Sequence, residues 1–177
     1  VHKGIGHLLR TLAALRDRDS RPFTARILGP EVVDGLVAQL TADRDRLGLR
    51  DHVRFEGKVS IDVLRDAVRT AELGLFPAEY ESFGISVVEA MGGGLVPVLQ
   101  DNRAFRYFVE GKTGFLADYG KPEEAAAVLA RARDLGADRA EWSAAARAKA
   151  QTYSWDAVIG ELEAVYERVS AQRRSPR

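Results

Sequence analysis

The chain has 177 residues, 46% of them hydrophobic, with 26 basic side chains against 26 acidic ones and no cysteine. That length and apolar content suit one globular domain with a real core. The even charge balance gives no bulk field for nucleic acid or an anionic membrane. The lack of cysteine excludes a disulfide framework, a thiolate zinc site and a cysteine nucleophile.

In chain order, the sequence opens on Val1 rather than Met and inside an element, so further sequence is expected ahead of it. Ile5, Leu8, Leu9, Leu12 and Leu15 fall at helical spacing and predict an amphipathic helix. Phe23 to Leu28 reads as a strand ended by Gly29-Pro30, and a helix is expected from about Glu31 to Leu47. Val53 to Phe55 is a short strand running into Gly57, and Ser60 is placed to cap a helix through Thr70. Leu73 to Phe76 is a strand, Pro77 to Phe83 a loop, and Gly84 to Met91 a helix broken by Gly92-Gly93-Gly94. Val96 to Leu99 and Gly114 to Ala117 are the last strands, with a short helix at Ala104 to Phe108 between them. From Glu123 the chain is helical, divided at Gly136 and near Tyr153-Ser154, with a final helix from Asp156 to Val169. The boundaries expected are a Rossmann-like domain over 1–153, a helix over 154–170 and a basic, disordered tail over 171–177.

Strands alternating with helices predict an α/β fold with a doubly wound parallel sheet. Such sheets usually hold six strands in the spatial order 3-2-1-4-5-6, with ligands at the switch point between the first and fourth. This chain starts on a helix, so the central first strand is expected to be truncated. The loop from Pro77 to Phe83 and the segment from Val1 to Gly4 would then meet at the switch point. A helix starting near Gly84 would offer free N–H groups and a positive dipole end to an anion. Glu81, just outside that helix, could accept hydrogen bonds from sugar hydroxyls. Spacing alone does not decide which way Glu89 faces.

Several motifs resemble a known family. Glu81-Ser82-Phe83-Gly84-Ile85 through Glu89-Ala90-Met91 resembles the Glu-x7-Glu signature of retaining GT-B glycosyltransferases of group 1. Gly94-Leu95-Val96-Pro97-Val98, Gly111-Lys112-Thr113-Gly114-Phe115-Leu116, Val53-Arg54-Phe55-Glu56-Gly57 and His2-Lys3-Gly4 match further family motifs in the same order. Glu79-Tyr80-Glu81 and the stretch from Asn102 to Arg106 look most like polyprenol-linked α-mannosyltransferases of exopolysaccharide assembly.

The resemblance implies the carboxy-terminal, nucleotide-sugar-binding half of a GT-B enzyme that uses GDP-mannose or a UDP-hexose. Glu81 and Lys3 would be the catalytic pair, with Glu81 on the donor hexose and Lys3 on the diphosphate. The Phe83, Gly84 and Ile85 backbone would meet the sugar and diphosphate, Glu89 the ribose, and Lys58 and Val59 the base. No metal or other cofactor is implied. The expected partners are the nucleotide sugar and an amino-terminal, acceptor-binding domain preceding Val1, with a lipid-linked or glycan acceptor and no nucleic acid. The enzyme would be cytoplasmic, or peripheral at the inner face of the membrane through that other domain.

Ser82 and Gln100 depart from the family pattern, and the family's diphosphate-binding Arg would lie ahead of Val1. The chain alone is therefore expected to turn over nothing. Two alternatives stay open beside this reading: a non-catalytic nucleotide-sugar-binding module, and another GT-B enzyme such as an epimerase or a phosphorylase. A phosphorylase would need a pyridoxal-phosphate lysine, for which no motif is present. Asp17-Arg18-Asp19 and Asp43-Arg44-Asp45 read as solvated charge at helix ends rather than metal sites, and Trp142 and Trp155 as packing residues.

Overall fold

A computed structural model describes residues 3–174, with side chains described as far as Ser170. The elements are α1 Ile5–Arg18, β1 Ala25–Leu28, α2 Leu36–Arg46, β2 Val53–Gly57, α3 Ile61–Thr70 and β3 Leu73–Phe76. They continue with α4 Ile85–Gly92, β4 Val96–Gln100, a 3-10 turn Phe105–Phe108, β5 Phe115–Ala117, α5 Pro122–Arg133, α6 Arg139–Gln151 and α7 Trp155–Arg174. No helix among the described residues is long and apolar enough to cross a membrane.

All strand pairs are parallel. Ala25 lies opposite Val53 in one sheet, β1-β2, and Leu73 opposite Val96 and Val98 opposite Phe115 in the other, β3-β4-β5. These are the 3-2 and 4-5-6 parts of the expected order. β1 and β3, which the expected first strand would separate, do not hydrogen-bond to each other.

Helix α1 draws the two sheets into one core. Leu8, Leu9, Leu12 and Leu15 are buried at the spacing read from the sequence, packed in one cluster with Val53 of β2, Val96 and Val98 of β4, Phe115 of β5 and Leu129 of α5. Truncating one such leucine, Leu9 for instance, should cost about 2–5 kcal/mol, because the site cannot collapse between two sheets and a helix. β4 is apolar and buried from Val96 to Leu99, as a strand covered on both faces must be. Gln100 has a structural role at its end: the side-chain oxygen accepts the Tyr119 N–H at 3.0 Å. The Tyr119 ring is fully buried and its hydroxyl donates to the Val98 carbonyl at 3.0 Å. A second cluster, with Val87 and Met91 of α4, Leu99, Phe105, Phe108 and Ala146 of α6, seats α4 against α6.

Two helix ends and one tryptophan differ from the sequence reading. Residues 31–35 are not helical: Gly35 takes φ 77°, and the Glu31 carboxylate accepts the Val37 N–H at 2.8 Å, serving the first turn of α2 from outside. The last helix runs to Arg174, past the expected end at Val169 and into the segment read as a disordered tail, of which residues 175–177 lie outside the described residues. Trp142 stacks on Phe115 with ring centroids 4.5 Å apart, as a packing residue should, but Trp155 is 81% exposed and packs no core.

Candidate functional site

The two segments expected to meet at the switch point do meet. Gly4 caps α1 in the left-handed region at φ 66°, and its carbonyl accepts the Leu8 N–H at 3.0 Å. A Cβ there would fall on the Pro77 carbonyl, 2.8 Å from its carbon and closer still to its oxygen. Only glycine lets the start of α1 and the end of β3 approach so closely. Beside this contact the Lys3 ammonium donates to Glu81 Oε2 at 2.8 Å, and the His7 ring, through Nε2, lies 2.9 Å from Glu79 Oε1. His2, the first residue of the matched Lys-Gly motif, lies outside the described residues.

The far side of the loop is held by Asn102, just past β4. Its Nδ2 donates to the Ala78 carbonyl at 2.9 Å, and its Oδ1 accepts the Phe105 N–H at 2.9 Å. The sequence by itself assigns no role to His7 or Asn102. The loop residues they hold, Glu79 and Ala78, are distant in sequence, and a signal for them would have needed the loop's neighbours in space.

Glu81 sits in an environment that keeps it ionised. The Lys3 ammonium, and the backbone N–H groups of Ser82 and Phe83, hold its carboxyl below the usual carboxylate range, against burial that pushes the other way. Ser82, the departure from the family pattern, contributes its backbone: its N–H lies 3.2 Å from Glu81 Oε1. Only 17% of the Glu81 side chain is exposed, whereas Lys3 is 70% exposed. The carboxylate is thus fixed and the ammonium free to change partners, since an exposed pair is worth only about 0.2–1 kcal/mol.

Behind this pair α4 begins. Gly84, at φ 107°, is its N-cap and accepts from the Val87 and Val88 N–H groups at 2.9 and 3.2 Å. A Cβ on Gly84 would stand 3.0 Å from the Phe105 ring, so the aromatic pair Phe105 and Phe108 sets where the helix starts. The Ile85 and Ser86 N–H groups, ahead of Val87, have no partner within the helix and are available to an anion. Phe83 packs edge-on against Phe108 and Tyr153, with centroids 5.6 and 5.5 Å away, yet remains half-exposed. Ile85, Ser86 and Glu89 are all exposed, opposite the buried Val87, Ala90 and Met91. Glu89 therefore faces out of the core.

Lys58 is exposed and Val59 partly buried, directly after β2. Among the described residues no hydrogen bond or ion pair joins Lys58 or Glu89 to Lys3 or Glu81. Lys58 and Val59 follow the carboxyl end of β2, and Glu81 and α4 follow that of β3, where open sheets bind ligands. A concavity of about 440 Å³ opens elsewhere, between Val68, Gly94, Ser143 and Arg147, and none of the residues above lines it. Its arginines are engaged: Arg139 reaches Glu72 at 3.5 Å and Arg147 the Gly93 carbonyl at 3.2 Å.

Comparison with known proteins places the chain. Residues 1–149 match the family model described as glycosyl transferases group 1. A D-inositol 3-phosphate glycosyltransferase of Streptomyces griseus is 33% identical over 175 residues, covering 94% of this chain and 37% of that protein. An MMP α-(1→4)-mannosyltransferase of Mycolicibacterium hassiacum is 31% identical over 175 residues, covering 96% of this chain and 41% of that one. Among solved structures, HepE of Anabaena in complex with UDP superposes with a TM-score of 0.76 at 26% identity, covering 96% of this chain and 46% of that chain. This chain spans about two fifths of the length of such curated relatives, from 37% to 41% in these two. With that match along most of its length and that fold, the chain belongs to the group 1 glycosyltransferases and has the Rossmann-like α/β fold of a GT-B carboxy-terminal half.

Proposed function

We propose that this chain binds the activated donor of a retaining hexosyltransferase, GDP-mannose or a UDP-hexose, in the crevice between the start of α1 and the start of α4. The observation that carries the proposal is the Lys3–Glu81 pair at 2.8 Å, at the switch point and beside the first turn of α4. A fixed carboxylate suits sugar hydroxyls, and a mobile ammonium next to free helix N–H groups suits a diphosphate.

In the proposed complex Glu81 accepts hydrogen bonds from the donor hexose. Lys3 turns from Glu81 toward the diphosphate and stabilises the charge that grows on its leaving oxygen, together with the N–H groups at Phe83, Gly84 and Ile85. Glu89, exposed on α4, takes the ribose hydroxyls, and Lys58 and Val59 border the base. These groups neutralise the diphosphate without a metal. Glu81 and Glu89 act as binding groups rather than as the two carboxylates of a glycosidase. Retention would follow from attack on the sugar's front face, with no enzymic nucleophile. The relatives named as mannosyltransferases support GDP-mannose, and HepE, solved with UDP and with UDP-glucose, supports a UDP-sugar.

The acceptor, lipid-linked or glycan, would be chosen by a domain beyond this chain, at the cytoplasmic face of the membrane if it is a lipid. The chain alone should give no turnover. Calorimetry with GDP-mannose, UDP-glucose and UDP-N-acetylglucosamine tests the proposal: one of them should bind, and silence with all three would end it.

A further inference from the structure

From Pro77 to Glu81 the loop meets the segment from Lys3 into the first turn of α1 at every second residue. Pro77 lies against Gly4, Glu79 against His7 and Glu81 against Lys3, while Tyr80 and Ser82 point to solvent. Of these contacts, the middle one has the most determined chemistry. The Arg10 guanidinium lies 3.0 Å from His7 Nδ1, and a guanidinium can only donate. Nδ1 must therefore accept, which puts the ring proton on Nε2, where it points at Glu79 Oε1, 2.9 Å away. Arg10, His7 and Glu79 thus form a directed chain from the surface of α1 to the middle of the loop. Among the described residues Glu79 makes no other side-chain hydrogen bond or ion pair.

We infer that His7 and Glu79 are positioning residues that hold the Glu81 loop in place when Lys3 exchanges Glu81 for the donor's diphosphate. The inference rests on the proposed donor site. Once Lys3 turns to the ligand, the 2.8 Å bond that anchors Glu81 to the segment leading into α1 is gone. Asn102 then holds the loop only at Ala78, on the opposite side. The His7–Glu79 bond, two residues from Glu81, is the remaining side-chain tie to α1. It keeps the carboxylate aimed at the sugar while its first partner is occupied elsewhere.

The test compares the whole chain with its His7→Ala, Glu79→Ala and His7→Gln variants by amide hydrogen exchange over Tyr80 to Phe83, without ligand. Gln can donate to Glu79 and accept from Arg10 as the neutral ring does. Both alanine variants should exchange about two- to fivefold faster in this loop, the size of one exposed pair, and His7→Gln should restore the wild-type rate. Exchange elsewhere, in α1 and β4, should not change. Unchanged loop exchange in both alanine variants, or no recovery with Gln, overturns the inference. In a second arm, whichever nucleotide sugar binds the wild type should bind His7→Ala about two- to fivefold more weakly and His7→Gln normally. A wild type that binds none refutes the donor site, while the exchange arm still decides whether the pair holds the loop.

Discussion

Replacing Gly4 by alanine probes the contact on which the site is built. Two costs add. The backbone at φ 66° lies in the left-handed region, which costs a residue with a Cβ about 1–2 kcal/mol. The new Cβ also collides with the backbone carbonyl of Pro77, and because no flexible side chain can give way, the strain is that of overpacking, about 1–3 kcal/mol. Gly111 provides the control, since it has φ 59° but nothing within 4 Å of where its Cβ would stand. Gly111→Ala should therefore show the first cost alone, and Gly4→Ala should lose about 1–3 kcal/mol more in urea unfolding. If α1 and the loop separate instead, the strain is relieved but Lys3 is drawn away from Glu81, and nucleotide-sugar affinity falls. Equal stabilities for the two variants, together with unaltered nucleotide-sugar binding by Gly4→Ala, would refute the reasoning.

Thr11 is fully buried on α1 and its hydroxyl has no hydrogen-bond partner among the described residues, so Thr11→Val should be neutral or stabilise by about 1 kcal/mol in the same unfolding assay. Asp19 is held by Arg21 and Arg133, at 2.6 and 2.8 Å, and its pKa is lowered from 3.8 to about 2. Its contribution is complete above the unfolded value and is lost as pH falls through the folded one. The stability advantage of wild type over Asp19→Asn should therefore shrink between pH 3.8 and about 2, and not at neutral pH, in acid titrations of the urea midpoint. Lys3 is the largest cause of the depressed Glu81 pKa, so Lys3→Ala should raise the Glu81 titration midpoint seen by carboxyl carbon NMR. The folded carboxylate would then lose its stabilising effect at a higher pH than in wild type.

Elements with unbroken periodicity are legible from the sequence. The leucines of α1 keep their predicted buried face, and the strand from Leu73 to Phe76 keeps its predicted bounds. The Ser60 cap is also present, with its hydroxyl accepting the Val63 N–H at 3.3 Å. The start of α2 is not legible. Val32 and Val33 lie in the segment read as the first turn of the helix, but both are exposed and outside it, because the chain turns at Gly35 before α2 begins. The end of α7 escapes the pattern because Val169 is the last apolar residue of its stripe, whereas backbone hydrogen bonding carries the helix on to Arg174.

The candidate site divides in the same way. Lys3 and Glu81 are legible, because motif order and the switch-point rule bring residues 78 positions apart to one crevice, and the structure pairs them. His7 and Asn102 are not, since each acts by geometry that only the folded loop creates. The exposed direction of Glu89 likewise needs the buried face formed by Val87, Ala90 and Met91.

The central claim, that Glu81 holds the sugar and Glu89 the nucleotide, is tested most directly by calorimetric titration of the Glu81→Ala and Glu89→Ala variants. Each should be titrated with the nucleotide sugar that binds the wild type and with the matching free nucleoside diphosphate. Loss of a hydrogen bond to a charged group predicts a drop of about ten- to a hundredfold. Glu89→Ala should weaken both ligands by that factor. Glu81→Ala should weaken the nucleotide sugar but leave the diphosphate as tight as before or tighter, since Lys3 is then released to it. Equal weakening of both ligands by Glu81→Ala, or no effect of Glu89→Ala on either, would contradict the account.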